Sequence, residues 1–211
     1  MSGAEDLVRA AVTTGVRDRR VLDAVRDLPR GRFVPRELAG EANVDAPVPI
    51  SHDQVTSQPS LVARMVEALG LTGTERVLEI GTGYGYQTAL VARLAAYVVS
   101  IERWEVLAAR ARENLTDQGV TNVDVLTGDG SQGVRERAPY DVVIVSAAFP
   151  QVPAPLADQL RQGGRLVQPI GSGGDERVVL FERMSEELVR RQEVSLARFV
   201  PLFGRHGYGA G

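Results

Sequence analysis

Three glycines at alternate positions, Gly81, Gly83 and Gly85, follow a short apolar run, Val77-Leu78-Glu79-Ile80. Glycine lacks a Cβ and reaches positive φ at little cost, so this loop, with Thr82 and Tyr84 between its glycines, can turn sharply and bring backbone close to a ligand. A helix over about 84–95 would aim free N–H groups at whatever lies above the turn. The pattern is G-x-G-x-G, not the G-x-G-x-x-G of dinucleotide sites, and Glu79 stands two positions before its first glycine. A carboxylate there works against a pyrophosphate but suits a ligand carrying ammonium and sulfonium charges. That chemistry points to S-adenosylmethionine.

A second acid supports it. The run Val98-Val99-Ser100-Ile101 ends in Glu102, 23 residues after Glu79, the spacing at which a β-α-β unit delivers a carboxylate to ribose hydroxyls. The competing reading is a glycine turn that only packs a helix on a strand, with Glu102 a solvated strand end. Asp129, in Gly128-Asp129-Gly130, either accepts from an adenine amino group or caps the helix after it; spacing leaves the two equal. The small residues of Ser146-Ala147-Ala148 leave room for a substrate beside the cofactor.

The elements that must position these residues read as an α/β chain. Strands are expected at 76–80, 97–101, 123–127, 141–146 and 165–170, with helices at about 84–95, 104–117, 131–137 and 153–162 between them. This alternation gives a doubly wound, mostly parallel, Rossmann-like sheet, which runs 177–183 and 193–199 close as an antiparallel hairpin. Before it lie two amphipathic helices, 4–16 and 19–28, and an irregular segment interrupted by prolines at 35, 47, 49 and 59. Ser60 can cap a helix over 60–70. Residues 1–75 thus form a helical and loop segment covering the substrate, and 76–211 the cofactor-binding core, together one compact domain. The tail 205–211, rich in glycine, is expected to be loose.

Composition narrows the chemistry further. The 211 residues are 44% hydrophobic and 24% charged, ordinary for a globular domain, and the net charge of −3 argues against a nucleic-acid footprint. There is no cysteine, which excludes disulfides, thiolate nucleophiles and cysteine zinc sites, and only His52 and His206 could supply imidazole. No metal is therefore expected, and His52 reads as an exposed loop residue. Trp104 either covers an adenine face or begins a packed helix. Neither a secretory leader nor a run of 18 apolar residues is visible, so a cytoplasmic protein with no membrane partner is expected.

Several segments together resemble one family. VLEIGTGYGYQTALVA at 77–92, SIER at 100–103, GDG at 128–130, APYDVVIVSAA at 138–148 and GGRLVQPIG at 163–171 are similar to the protein-L-isoaspartate (D-aspartate) O-methyltransferases. So are RFVP at 32–35, PVPI at 47–50, QVTSQP at 54–59 and RFVPLFG at 198–204, which a generic methyltransferase has no reason to share. The resemblance implies that Ser57 has the active-site role and that the backbone of Val55, Thr56, Ser57 and Gln58 lies over cofactor and substrate. It implies cofactor contacts from Glu79, Gly81, Thr82, Gly83, Tyr84, Gly85, Glu102, Arg103, Asp129 and Gly130. Val200 and Leu202, flanking Pro201, would border a peptide groove. The chain departs from the family's G-x-G-Q-T-I-S at Ser51-His52-Asp53-Gln54-Val55-Thr56-Ser57, where the loss of two glycines changes the allowed backbone angles; Asn43 replaces a common tyrosine.

The reaction implied is methyl transfer to the free carboxylate of L-isoaspartyl residues in peptides and proteins. A carboxyl group with a pKa of about 4 is already ionised near neutrality, so it needs no base, and catalysis reduces to orientation and exclusion of water. Ser57 would hold one carboxylate oxygen; its simpler role is to cap the helix that follows. The methyl ester then collapses to a succinimide, whose hydrolysis restores some normal aspartate. Alternatives are a carboxyl methyltransferase for one dedicated peptide, motivated by the altered loop, a non-catalytic adaptor, and a small-molecule O-methyltransferase, which would need a base or metal not seen here. A monomer is expected.

Overall fold

The computed structural model describes residues 3–185 and 187–209. Nine strands and six α-helices are found among them: α1 (Gly3–Thr13), α2 (Arg19–Asp27), β1 (Val48–Pro49), β2 (Val55–Thr56), α3 (Pro59–Ala68), β3 (Arg76–Ile80), α4 (Tyr86–Ala92), β4 (Tyr97–Glu102), α5 (Glu105–Asp117), β5 (Val123–Thr127), β6 (Tyr140–Val145), α6 (Ala154–Asp158), β7 (Leu160–Ile170), β8 (Glu176–Met184) and β9 (Glu187–Ala197). Seven strands form one sheet in the order β5-β4-β3-β6-β7-β8-β9. The pairs from β5 to β7 are parallel, and β8 and β9 add antiparallel.

Alternation along the strands explains both cores. Val77, Val98, Val142, Ile144 and Val167 face α1 to α4, whereas Leu78, Ile80, Val99, Val143 and Leu166 face the other layer with Leu156 of α6. A central parallel strand buried on both faces reads as a continuous apolar run. The chain leaves β3 toward β4 and β5 on one side, and β6 begins the other side, so the crevice beyond the carboxyl ends of β3 and β6 is the switch point where such sheets bind ligands.

Four local expectations are corrected. The helix read over 131–137 is instead two 3-10 turns, Gly130–Gln132 and Arg135–Arg137. Gly133, at φ +64°, breaks the chain between them, and the Gln159 amide ties their ends by accepting from Val134 N at 2.8 Å and donating to Gln132 O at 2.7 Å. The helix read over 153–162 stops at Asp158, because Leu160 already pairs with Tyr140, and a Cβ on Gly164 would lie 2.7 Å from Leu160 Cγ. Ser60 does not cap α3. Asp45, from the irregular segment, does so instead, accepting from Ser60 N at 2.8 Å and Ser60 Oγ at 2.7 Å. The tail is pinned as far as Tyr208, since Arg205 N donates to Asp129 Oδ2 at 2.8 Å and Tyr208 N to Leu202 O at 2.8 Å.

Candidate active site

A cavity of about 580 Å³ opens over the switch point. Its floor is the glycine loop with Ile80 and Gly130, one wall is Glu102-Arg103-Trp104, the roof is His52 to Gln58, and the far wall is Ser195 to Phe203. Gly81 and Gly83 have φ of +93° and +56°, and a Cβ on Gly81 would stand 3.3 Å from Ser146 Cβ across the crevice. Only glycine keeps that gap open without strain.

The two acids divide the work differently from expectation. Glu79 shares the α4-facing side of β3 with Val77, so its carboxylate is fully buried beneath the loop and does not line the cavity. It accepts from Gln87 Nε2 at 2.9 Å, Thr88 Oγ1 at 2.6 Å and Ser100 Oγ at 2.6 Å. Burial pushes its carboxyl above the usual range, while the hydroxyl and amide donors pull against that. Gln87 also donates to Ser146 Oγ at 2.9 Å, so Glu79 fastens both lips of the crevice from below. Its place as a direct cofactor contact is corrected accordingly.

Glu102 does reach the cavity. Its oxygens accept from Gly83 N at 2.9 Å and Trp104 N at 3.1 Å, and burial raises its pKa against those bonds. Each oxygen keeps a free lone pair for hydroxyl donors. Asp129, in contrast, is absent from the lining: its oxygens take Ser131 N, Ser131 Oγ, Gln132 Nε2 and Arg205 N at 2.6–3.0 Å. The capping reading describes its geometry, and only Gly130 of that turn faces the cavity. Gly85 likewise lies outside the lining and sits as the left-handed cap of α4.

The roof is held by residues that sequence reasoning missed. Arg30, 1% exposed, donates to the carbonyls of Ala42 and Val44 at 3.1 Å, Ala46 at 2.9 Å and Ser57 at 3.2 Å. Burial pulls its pKa down, opposed by Tyr86 and Asp45. Asp45 accepts from Gln58 Nε2 at 2.8 Å as well as capping α3. The segment carrying Ser57 therefore hangs between a guanidinium on one side and a carboxylate on the other. The only visible signal was that Arg30 adjoins the RFVP motif; nothing singled out Asp45.

The hairpin β1–β2 keeps its turn despite the missing glycines. His52 and Asp53 adopt φ of +62° and +54°, the paired left-handed residues that a two-residue turn needs, and Asp and His are among the side chains that tolerate it. Of the two positions where the family pattern has glycine, 51 and 53, only 53 has a positive φ. The His52 ring stacks on Trp104 at 4.5 Å, and Arg103 lies 5.2 Å from Trp104 and 5.0 Å from the Phe203 ring. Three separate loops thus close over one edge of the cavity.

The family model for protein-L-isoaspartate(D-aspartate) O-methyltransferase matches residues 2–207. This chain belongs to that family. Similar relatives include the protein-L-isoaspartate O-methyltransferases of Anaeromyxobacter dehalogenans, 53% identical over 89% of this chain and 91% of the relative, and Methanoculleus marisnigri, 49% identical over 92% and 88%. A solved protein-L-isoaspartate O-methyltransferase superposes with a TM-score of 0.84 at 31% identity, covering 97% of this chain and 67% of its own. A Plasmodium falciparum protein described as a candidate member, in complex with S-adenosyl-L-homocysteine, shares the fold with a TM-score of 0.77 at 21% identity, over 94% and 98% of the two chains.

The residues present fit an adenosyl cofactor. Glu102 turns both carboxylate oxygens toward a cavity that Thr56 and Tyr86 also line, and the hydroxyls of those two residues make no hydrogen bond among the described residues. Ser57 and Gln58 line the same roof, and Val200 and Leu202 the facing wall, where Leu202 N donates to Ala148 O at 2.8 Å. All the sequence-derived site residues other than Glu79, Gly85 and Asp129 are brought together around one space.

Proposed function

We propose that the chain transfers the methyl group of S-adenosylmethionine to the free carboxylate of L-isoaspartyl residues in damaged proteins and peptides, which starts their repair through a succinimide. One observation carries this reading: the glycine loop and Glu102 share a single cavity with the Ser57 segment, and that cavity runs on into an open groove beside β9.

The cofactor supplies an electrophilic methyl on a sulfonium, and its thioether product leaves without a proton. Gly81, Thr82, Gly83 and Tyr84 would bring backbone against it, and Glu102 would accept from ribose hydroxyls. Gly130, Arg103 and the backbone of Val55, Thr56 and Gln58 would complete its enclosure. Glu79, Gly85 and Asp129 act at one remove by shaping those loops. The isoaspartyl carboxylate, ionised near neutrality, needs no general base. Ser57 would donate to one of its oxygens and leave the other free to attack, and Val200 and Leu202 would flank the peptide. The roof, stacked through His52 and Trp104, keeps water from competing.

A division at residue 75 follows from these roles, with the N-terminal segment covering the substrate and the sheet binding the cofactor. We further infer a cytoplasmic monomer without a nucleic-acid or membrane partner. The net charge of −3 supports this, and no described helix is long and apolar enough to cross a membrane.

The test is transfer of labelled methyl to a peptide pair that differs only in L-isoaspartate against L-aspartate at one position. Transfer to the isoaspartyl peptide alone is expected. Binding of cofactor with transfer to neither would overturn the reading.

A further inference from the structure

The cavity does not end at Ser57. It continues along α3 past Leu61 and Arg64 to Ser195–Arg198 at the end of β9. Along this arm the charged side chains are Arg64 and Arg198, the latter with its guanidinium packed against Gly174 of the turn between β7 and β8, near Glu176, whereas the acids lining the cavity, Asp53 and Glu102, belong to its cofactor end. Arg64 donates to Val194 O and, at 3.4 Å, to Ser195 Oγ, both uncharged acceptors. Among the described residues neither arginine forms an ion pair, although Arg177 on β8 and Arg190 and Arg191 on β9 do, with Glu193 and Glu182. Leu196, 62% exposed, lines the same arm. Two cations without an ion-pair partner and an exposed apolar side chain along one arm make a surface that an acidic peptide segment complements.

We propose that this arm favours acidic side chains near the isoaspartate, with Arg64 and Arg198 as the specificity-determining residues; the inference rests on the isoaspartyl reading above. The preference is local, because a net charge of −3 repels acidic peptides at long range. Arg64 lies about 7 Å along α3 from its first turn, a distance that an extended peptide covers in about two residues. The acidic side chain therefore belongs two or three residues from the methylated one, on the side of the peptide that enters the arm.

The test uses isoaspartyl peptides of one sequence, with Ala, Glu or Lys placed two and then three residues away on either side. On one side Glu should exceed Lys about threefold to tenfold in kcat/KM, through KM, and about 0.5 M salt should shrink that ratio toward one. Arg64→Gln and Arg198→Gln should each reduce the ratio, whatever they do to total activity. If either fails to fold, the salt dependence of the unaltered protein carries the test. Methylation of the Ala peptide with Glu and Lys used equally at every position would overturn the inference and leave the repair reading intact. Methylation of no isoaspartyl peptide would overturn the repair reading and this with it.

Discussion

Arg30 Nη2 donates to the Ser57 carbonyl at 3.2 Å, although 27 residues separate them. The same guanidinium holds the carbonyls of Ala42, Val44 and Ala46, so one buried cation ties the irregular segment at 42–46 to the Ser57 end of the roof. Replacing it by Met would orphan four acceptors at once. Arg30→Met should cost about 3 kcal/mol, a fall of about 6–12 °C in melting temperature for a chain of this size. Arg30→Lys should recover only part of this, since one ammonium cannot span four carbonyls. Thermal melts with turnover on an isoaspartyl peptide check it; an unaltered melting temperature in Arg30→Met would refute it.

Ser57 Oγ makes no hydrogen bond among the described residues, so its removal should cost activity and little stability. Ser57→Ala should lower kcat/KM about 10- to 100-fold, the worth of one donor to a charged oxygen, with a melting temperature within about 2 °C of the parent. A large loss of stability would instead return Ser57 to a structural role.

Gly81 faces Ser146 at the lips of the crevice with φ +93°. Gly81→Ala should add about 1–2 kcal/mol of backbone strain and push the lips apart. The melting temperature without cofactor should fall by about 2–8 °C, and the rise that S-adenosylmethionine gives the parent should be largely lost. Calorimetric titration with S-adenosylhomocysteine measures the second effect directly.

Asp129 predicts an acid-sensitive tail. Burial tends to raise its pKa, but the N–H groups of Arg205 and Ser131, with Ser131 Oγ and Gln132, outweigh it and hold the carboxyl below its ordinary 3.8. A depressed folded pKa contributes stability above the unfolded value that is lost as pH falls through the folded one. Asp129→Asn should therefore melt lower than the parent at pH 7, with the difference vanishing as pH drops below about 4. Amide exchange at Arg205 and His206 should speed up over the same range, because His206 N is tied to Ser131 Oγ in the same cluster.

Strands and site differ in how much of them could be read beforehand. Runs such as Val77–Ile80 and Val98–Ile101 announce buried parallel strands because apolar residues fall on both faces, with one polar residue in each, and the structure puts them there. The glycine loop and Glu102 were legible because their chemistry is local. Glu79 was misplaced for a geometric reason: alternation, not proximity in sequence, decides which face a strand residue serves. Arg30 and Asp45 were invisible because their partners lie 12 to 27 and 13 to 15 residues away, in a segment with no periodicity. The ends of α6 and β7 were misjudged because Leu160 fits an amphipathic helix as well as a strand edge, and only the Tyr140 pairing decides between them.

The turn at His52-Asp53 shows that this hairpin's shape is not a record of its letters. Two residues with side chains hold the backbone angles that a glycine would hold, and one of them contributes a ring to the stack on Trp104. The turn therefore does a second job: the side chain at its first corner ties the roof over the cavity to the wall that carries Glu102.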